Sequence, residues 1–252
     1  MSALRVALGE YDLGWQDAAR SLARAREVVR RAAANGARLV ALPEMATTGF
    51  TMDTSHATPI AGGDASRLAE VAAAHDVWLV AGVAARDDDG PFNAAIVADP
   101  KGSIVAVYRK QRLFSYGGEH ESYAPGDHAV VVDVEGVRIA PFVCYDLRFP
   151  ELFREVAAEI DAFVLVANWP AARRAHWDVL TRARAIENQA YFIAVNRTGT
   201  GGGLDFDGGS VAYDPWGERL GGPIVSVDPA RVREIRERYP FLADAKRDIP
   251  VR

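Results

Sequence analysis

The sequence predicts an α/β fold of two sheets with helices outside them, and three observations carry that prediction. Short apolar runs of strand length alternate with Ala-, Arg- and Glu-rich segments of helical spacing from the first residues onward. Both halves of the chain repeat the order strand, helix, strand. The composition is that of a globular chain, 49% hydrophobic and 25% charged over 252 residues, which suffices to bury a large core.

The elements follow in order. Leu4–Leu8 is a short apolar strand. Trp15–Asn35 has helical spacing and stops at Asn35-Gly36. Arg38–Leu42 is the next strand, broken by Pro43. Asp64 can cap a helix that runs through His75, and Val77–Val83 is a buried strand. Asn93–Ala98 and Ile104–Arg109 form a hairpin around Asp99-Pro100-Lys101-Gly102. A second hairpin joins Val130–Val134 to Val137–Val143 around Glu135-Gly136. A helix is expected just beyond Cys144. Ala162–Ala167 is an apolar strand ending at Asn168-Trp169-Pro170, and His176–Asn188 is a helix. Tyr191–Asn196, Gly209–Tyr213 and Ile224–Val227 are strands, and a last helix spans Pro229–Arg238 with proline near its first position. The glycine-rich stretch Thr198–Gly203 reads as a mobile loop. The whole chain, 1–252, is expected to be one domain, with 232–252, including Pro240, Phe241 and Pro250, as an extended C-terminal arm.

Charge and cysteine content narrow the function classes. The formal net charge is −5, and no stretch combines clustered Lys and Arg with aromatics, so neither nucleic acid nor an anionic membrane is an expected partner. The single cysteine excludes an intramolecular disulfide and fits a reducing compartment. The N-terminal apolar run is too short for a signal peptide and no segment is long enough to span a bilayer, so a soluble cytoplasmic protein is expected.

Three strand ends carry reactive residues. Leu39-Val-Ala-Leu-Pro-Glu44 places a carboxylate after one strand, Val105-Ala-Val-Tyr-Arg-Lys110 an ammonium after a second, and Val143-Cys144 a thiol after a third. The ends of strands are where ligands bind in α/β folds, and a thiol near a helix N-terminus is in a setting that lowers its pKa. Each residue alone also has a plain reading. Cys144 fits an inert buried thiol equally well, Glu44 a solvated loop residue, and Lys110 an edge gatekeeper. Lysine usage favours function at position 110, because the chain has only Lys101, Lys110 and Lys246 against many arginines. If the three tips lie on one side, their chemistry is coherent. Glu44 takes the thiol proton, Cys144 attacks a carbonyl carbon, and Lys110 with the backbone N–H of Tyr145 stabilises the oxyanion. No cofactor and no metal is needed.

At these residues the sequence resembles a known family. Leu42-Pro43-Glu44 with Thr48-Gly49-Phe50, then Tyr108-Arg-Lys110-Gln-Arg-Leu-Phe114, then Cys144-Tyr-Asp-Leu-Arg-Phe-Pro-Glu151 are similar, in order and spacing, to the three signature segments of the nitrilase (carbon–nitrogen hydrolase) superfamily. The resemblance implies a four-layer αββα sandwich, two mainly β sheets face to face with helices outside. It also implies a Glu–Lys–Cys set at Glu44, Lys110 and Cys144, and a homodimer formed across one helix layer. The loop Gly118-Glu119-His120-Glu121-Ser122-Tyr123 resembles the one carrying the family's second glutamate. Glu119 takes that position, with Glu121 as its neighbour and competitor, and its implied role is to hold the lysine and to position substrate or water. Glu119, His120, Glu121 and His128 are not expected to bind metal, since no second ligand-rich segment exists and Lys110 would repel a cation.

Val166-Ala-Asn-Trp-Pro170, His176-Trp177 and the run Arg182–Tyr191 resemble the bacterial ω-amidase branch. That branch implies hydrolysis of the terminal amide of a small 2-oxo acid amide, 2-oxoglutaramate or 2-oxosuccinamate, with release of ammonia. Asn168 and Trp169 either line the pocket or form a structural turn. Arg148 either grips the substrate carboxylate with two parallel hydrogen bonds or braces Glu151 or Asp146, and Arg173 is a second cation for the substrate. The other activities to weigh are deaminated-glutathione amidase, N-carbamoyl-amino-acid hydrolase, against which the single Arg148 after Cys144 argues, and a catalytically silent binding protein on the same fold.

Overall fold

The computed structural model describes residues 3–244. β1 (Leu4–Leu8), α1 (Ala18–Ala34), β2 (Leu39–Leu42), the two-residue β3 (Thr58–Pro59), α2 (Asp64–Ala74), β4 (Trp78–Asp87), β5 (Gly90–Ala98) and β6 (Ile104–Arg109) build the first half. A one-turn α3 (Glu119–Ser122) leads to β7 (Val132–Val134), β8 (Val137–Val143), α4 (Pro150–Val156), β9 (Ala162–Val166), α5 (Arg174–Asn188) and β10 (Tyr191–Val195). β11 (Thr198–Gly201), β12 (Leu204–Asp207), β13 (Val211–Tyr213), β14 (Arg219–Leu220), β15 (Ile224–Val227), α6 (Pro229–Arg238) and α7 (Phe241–Asp244) follow.

One sheet has the order β15-β1-β2-β4-β5-β6, with β3 added beside β4; the other has the order β14-β13-β10-β9-β8-β7. The centre of each is parallel, β1-β2-β4 in the first and β8-β9-β10 in the second, and the outer strands are antiparallel. Strand periodicity shows how the layers stack. In β2, Leu39 and Ala41 join the core between the sheets with Ile139, Val164 and Ile193, whereas Val40 and Leu42 join a second core with Ala25 and Val29 of α1 and Leu68 and Ala72 of α2. On the other side, Leu152, Phe153 and Val156 of α4 and Trp177 and Ala185 of α5 pack against the second sheet. Helices therefore cover both outer faces, and the αββα expectation holds. Because β2, β9 and β10 are buried on both faces, they read as continuous apolar runs rather than alternating ones.

Several boundaries differ from the expectation for identifiable reasons. α1 starts at Ala18, capped by Asp17, whose side chain accepts the Arg20 N–H. Trp15 lies outside the helix. Asp64 is the first residue of α2, and Gly63 holds the cap position. β4 and β5 continue past Val83 and before Asn93 into a long hairpin that turns at Asp88-Asp89. Ala84-Ala85-Arg86-Asp87 and Gly90-Pro91 have little intrinsic strand preference, so pairing rather than propensity extends them. Thr198–Gly203 is no mobile loop: β11 and β12 form a two-stranded ribbon with Thr198 opposite Asp207. Of the expected C-terminal arm over 232–252, residues up to Arg238 belong to α6 and Phe241–Asp244 to α7; 245–252, including Lys246 and Pro250, lie outside the described residues.

Candidate active site

The ends of β2, β6 and β8 do lie together. Pro43 stops β2, and Glu44 follows it over β4, where the Ala46 N–H donates to the Gly82 carbonyl. Gly82 must be glycine here, because a Cβ would come within 2.3 Å of Glu44 Cα. Lys110 follows β6, its N–H donating to the Asn93 carbonyl at 2.8 Å. Cys144 follows β8 and opens a single 3₁₀ turn, Cys144–Arg148, ahead of α4. Two non-glycine residues here occupy the left-handed region, Met45 at φ 43° and Cys144 at φ 44°. Such backbone is costly and persists where the surroundings hold it. At Cys144 the hold is Asp146, whose carboxylate accepts the Val143 N–H, the Arg112 N–H and the Tyr108 hydroxyl at 3.0, 2.9 and 2.8 Å.

Glu44, Lys110 and Glu119 are each 0% exposed and form one ion cluster. Lys110 Nζ lies 2.9 Å from Glu44 Oε1 and 2.9 and 2.8 Å from the two Glu119 oxygens. Asn93 Nδ2 donates to Glu44 Oε1 at 2.8 Å and to Glu119 Oε1 at 2.7 Å. Glu44 Oε2 accepts the Asn168 N–H at 2.9 Å, and Glu119 Oε2 accepts the Phe114 N–H at 2.6 Å. Glu119 is thus the lysine's second carboxylate, whereas Glu121 is exposed and, among the described residues, approaches His120 alone. Glu119 stands behind Lys110, does not line the cavity, and holds the lysine through both of its oxygens.

The cluster sets the protonation of the site. Burial works against the Lys110 ammonium, but Glu119 and Glu44 outweigh it and hold its pKa above the ordinary value. The Cys144 thiol is pushed up, not down, corrected from the sequence expectation. Desolvation is the largest cause and the Glu44 charge the next, with Lys110 opposing both. One 3₁₀ turn supplies too little dipole to reverse that. A protonated thiol beside a carboxylate needs that carboxylate as a base before it can attack.

Glu44, Lys110, Cys144, Tyr145, Arg148, Asn168, Trp169 and Arg173 all line one cavity of about 380 Å³. The Tyr145 N–H, second in its turn, has no acceptor within the turn. The Cys144 Sγ faces the Asn168 carbonyl at 3.8 Å. Asn168 serves both readings open to it, since its Nδ2 also donates to the Glu44 carbonyl. The Trp169 indole N–H donates to the Arg173 carbonyl at 2.8 Å. Arg148 does not brace Glu151 or Asp146: Arg112 takes Glu151 at 3.5 Å, and Asp146 is held as described above. The Arg148 guanidinium instead lies 4.9 Å from the Trp169 ring centre, with Nη2 3.1 Å from His176 Nδ1. Arg173 lies 5.1 Å from the Phe114 ring centre. Among the described residues neither arginine has a carboxylate partner. Trp15, Phe50, Met52, Phe114, Tyr116, Leu204 and Phe206 make the rest of the wall apolar. Among the described residues no group of three or more His, Cys, Asp or Glu gathers as a metal site, and no helix is long and apolar enough to cross a membrane.

The carbon-nitrogen hydrolase family profile matches residues 5–228. The chain belongs to the carbon–nitrogen hydrolase family. Among curated relatives of this hydrolase, omega-amidase YafV of Escherichia coli strain K12 is 36% identical, the match covering 97% of this chain and 98% of that protein. The 2-oxoglutaramate amidase of Bacillus subtilis strain 168 is 32% identical, covering 95% and 96%. Among solved structures, the CN-hydrolase superfamily protein XC1258 of Xanthomonas campestris, which carries an arsenic adduct in its active site, superposes with a TM-score of 0.92. It is 32% identical, and the match covers all of both chains.

Sequence reading of the hydrolase missed Asn93, Asp146 with Tyr108, and the aromatic wall. Asn93 had a signal: an amide inside the apolar run Phe92-Asn93-Ala94-Ala95-Ile96-Val97 must find partners when buried. Trp15, Phe50 and Leu204 had none, because they come from three distant segments that meet only in the fold.

Proposed function

We propose that this carbon–nitrogen hydrolase cleaves the terminal amide of a small 2-oxo acid amide, such as 2-oxoglutaramate, through a thioester on Cys144. One observation carries the reading: a buried Glu44–Lys110 pair and a thiol share a cavity with Arg148 and Arg173, two cations free of carboxylate partners among the described residues. Relatives named omega-amidase and 2-oxoglutaramate amidase, matched along nearly their whole length, support it.

Glu44 removes the Cys144 proton as sulfur attacks the amide carbon. The Tyr145 N–H donates to the resulting oxyanion, and the Lys110 charge stabilises it. At rest the two carboxylates take three contacts from Lys110 Nζ, which has three N–H groups. Protonation of Glu44 weakens one of them and frees a donor for the oxyanion. The intermediate collapses, the C–N bond breaks, and Glu44 returns its proton to the departing ammonia. Water then attacks the thioester carbon, Glu44 takes the water proton and gives it back to the sulfur, and the carboxylic acid leaves. Arg148 and Arg173 hold the distal carboxylate, and Asn168 and Trp169 complete the wall around the chain of the substrate. The reading includes a cytoplasmic homodimer. The dimer is supported by Val179 and Ile186 of α5 and by Trp216, large apolar side chains exposed on one chain.

Ammonia release should be measured with 2-oxoglutaramate, deaminated glutathione, N-carbamoyl acids and nitriles. Turnover should favour the 2-oxo acid amides and vanish in Cys144→Ala. Arg148→Ala should raise KM at least about tenfold, the loss of a charged bidentate contact. Activity persisting in Cys144→Ala would remove the nucleophile, and preference for N-carbamoyl acids or nitriles would remove the substrate class.

A further inference from the structure

Two buried glutamates flank Lys110, and hydrogen-bond arithmetic separates them. A carboxylate offers about four acceptor sites, two per oxygen. Glu119 has all four taken: Asn93 and Lys110 on Oε1, Lys110 and the Phe114 N–H on Oε2. Glu44 has three taken: Asn93 and Lys110 on Oε1, and the Asn168 N–H on Oε2. The remaining site is on Glu44 Oε2, the oxygen held by Asn168, whose own carbonyl faces Cys144 Sγ. Asn93, like Lys110, touches both carboxylates. It sits in β5 opposite Ala84, is 0% exposed, and spends both amide protons on the two glutamates. Its carbonyl anchors the Lys110 backbone N–H, and its Oδ1 has no partner.

We propose that Asn93 is a positioning residue that makes Glu44, through Oε2 alone, the proton acceptor of the site. By filling Glu44 Oε1 and completing the shell of Glu119, it leaves one acceptor position among the two carboxylates, and that position belongs to the base. An unpartnered Oδ1 is the cost of aiming both N–H groups at carboxylates, since flipping the amide would set its oxygen against both anions. The titratable groups that Asn93 touches are Glu44 and Glu119, with Lys110 bound to both; Tyr123, near the glutamates, donates to the Thr51 carbonyl. The inference rests on Glu44 as base in the amidase reading, and it adds what selects that base.

The test is Asn93→Ala, with Asn93→Leu to fill the space without a donor. Losing a hydrogen bond to the charged form raises proton affinity, so the acid limb of kcat/KM should move up by about one pH unit. kcat should fall about 10- to 100-fold, with KM within about twofold, because no substrate contact is removed. Alkylation by iodoacetamide reads the same base without a substrate, and Cys144 is the chain's only thiol. Its rate–pH profile should shift upward in step with kcat/KM. A shifted alkylation profile without turnover of any 2-oxo acid amide would sink the substrate reading and keep Asn93. Turnover of 2-oxoglutaramate with both profiles unmoved in the variants overturns Asn93 and keeps the substrate. Failure of both variants to fold also overturns the assignment, since a positioning role leaves the fold intact.

Discussion

Replacing Lys110 by Met removes the cation that pairs with both Glu44 and Glu119 in a fully buried cluster. Glu44 and Glu119 stay fully buried, with Asn93 still holding their Oε1 atoms close. At a separation of about 5 Å and an effective dielectric constant of about 20, two like charges repel by about 3 kcal/mol. Breaking a buried ion pair by removing one partner typically costs about 3–5 kcal/mol. The carboxylate pair escapes part of this by binding one proton, because two like charges without a cation between them cannot both stay ionised at low energy. A folded-state pKa raised above the unfolded one contributes stability that is present below the unfolded pKa and lost as pH rises through the folded one. The variant should therefore be weakest at pH 8 and regain ground near pH 5. The wild-type ammonium has a raised pKa, so its contribution is complete at both pH values and changes little between them. Urea unfolding followed by tryptophan fluorescence, for which the chain has five tryptophans, gives the difference between wild type and Lys110→Met. The expected loss is about 3–5 kcal/mol at pH 8 and roughly half that at pH 5, the larger figure equal to about 10 °C or more in Tm. An equal loss at both pH values, or no loss at pH 8, would refute the buried, charged cluster from which the chemistry is argued.

Gly82→Ala should place a methyl group into the Glu44 backbone, so kcat should fall at least about tenfold with a stability loss of about 1–3 kcal/mol; wild-type kcat would show that this approach does not set Glu44. Tyr108→Phe removes the 2.8 Å bond to Asp146, the residue that holds the turn at Cys144. About 1–2 kcal/mol of stability should be lost, with slower Cys144 alkylation. A less stable protein whose cysteine reacts at the wild-type rate would confine Tyr108 to the fold.

The strand ends were legible because each is a local event: an apolar run, then Pro43-Glu44, Lys110 or Cys144. Sheet membership and helix positions were legible for the same reason, since burial on both faces writes continuous apolar runs into β2, β9 and β10. The thiol pKa was not, because a local rule about helix N-termini points down while burial in the assembled fold and the charge of Glu44, a hundred residues away, push it up. The ribbon β11–β12 was missed because glycines carry no side-chain pattern, and its pairing is made of backbone bonds. Arg148 is ambiguous in the sequence because Arg112, not Arg148, takes Glu151, a competition between partners that chain order does not express.

Residue order alone therefore pointed to the layers, the family and three candidate reactive groups, since these depend on short-range patterning and on which residue types follow a strand. Which glutamate is left with an open acceptor site, which arginines are left without an anion, and which aromatics close the wall depended on the packing of the two sheets. Those properties are counts of neighbours around buried groups, and the neighbours of Glu44 come from positions 93, 110 and 168.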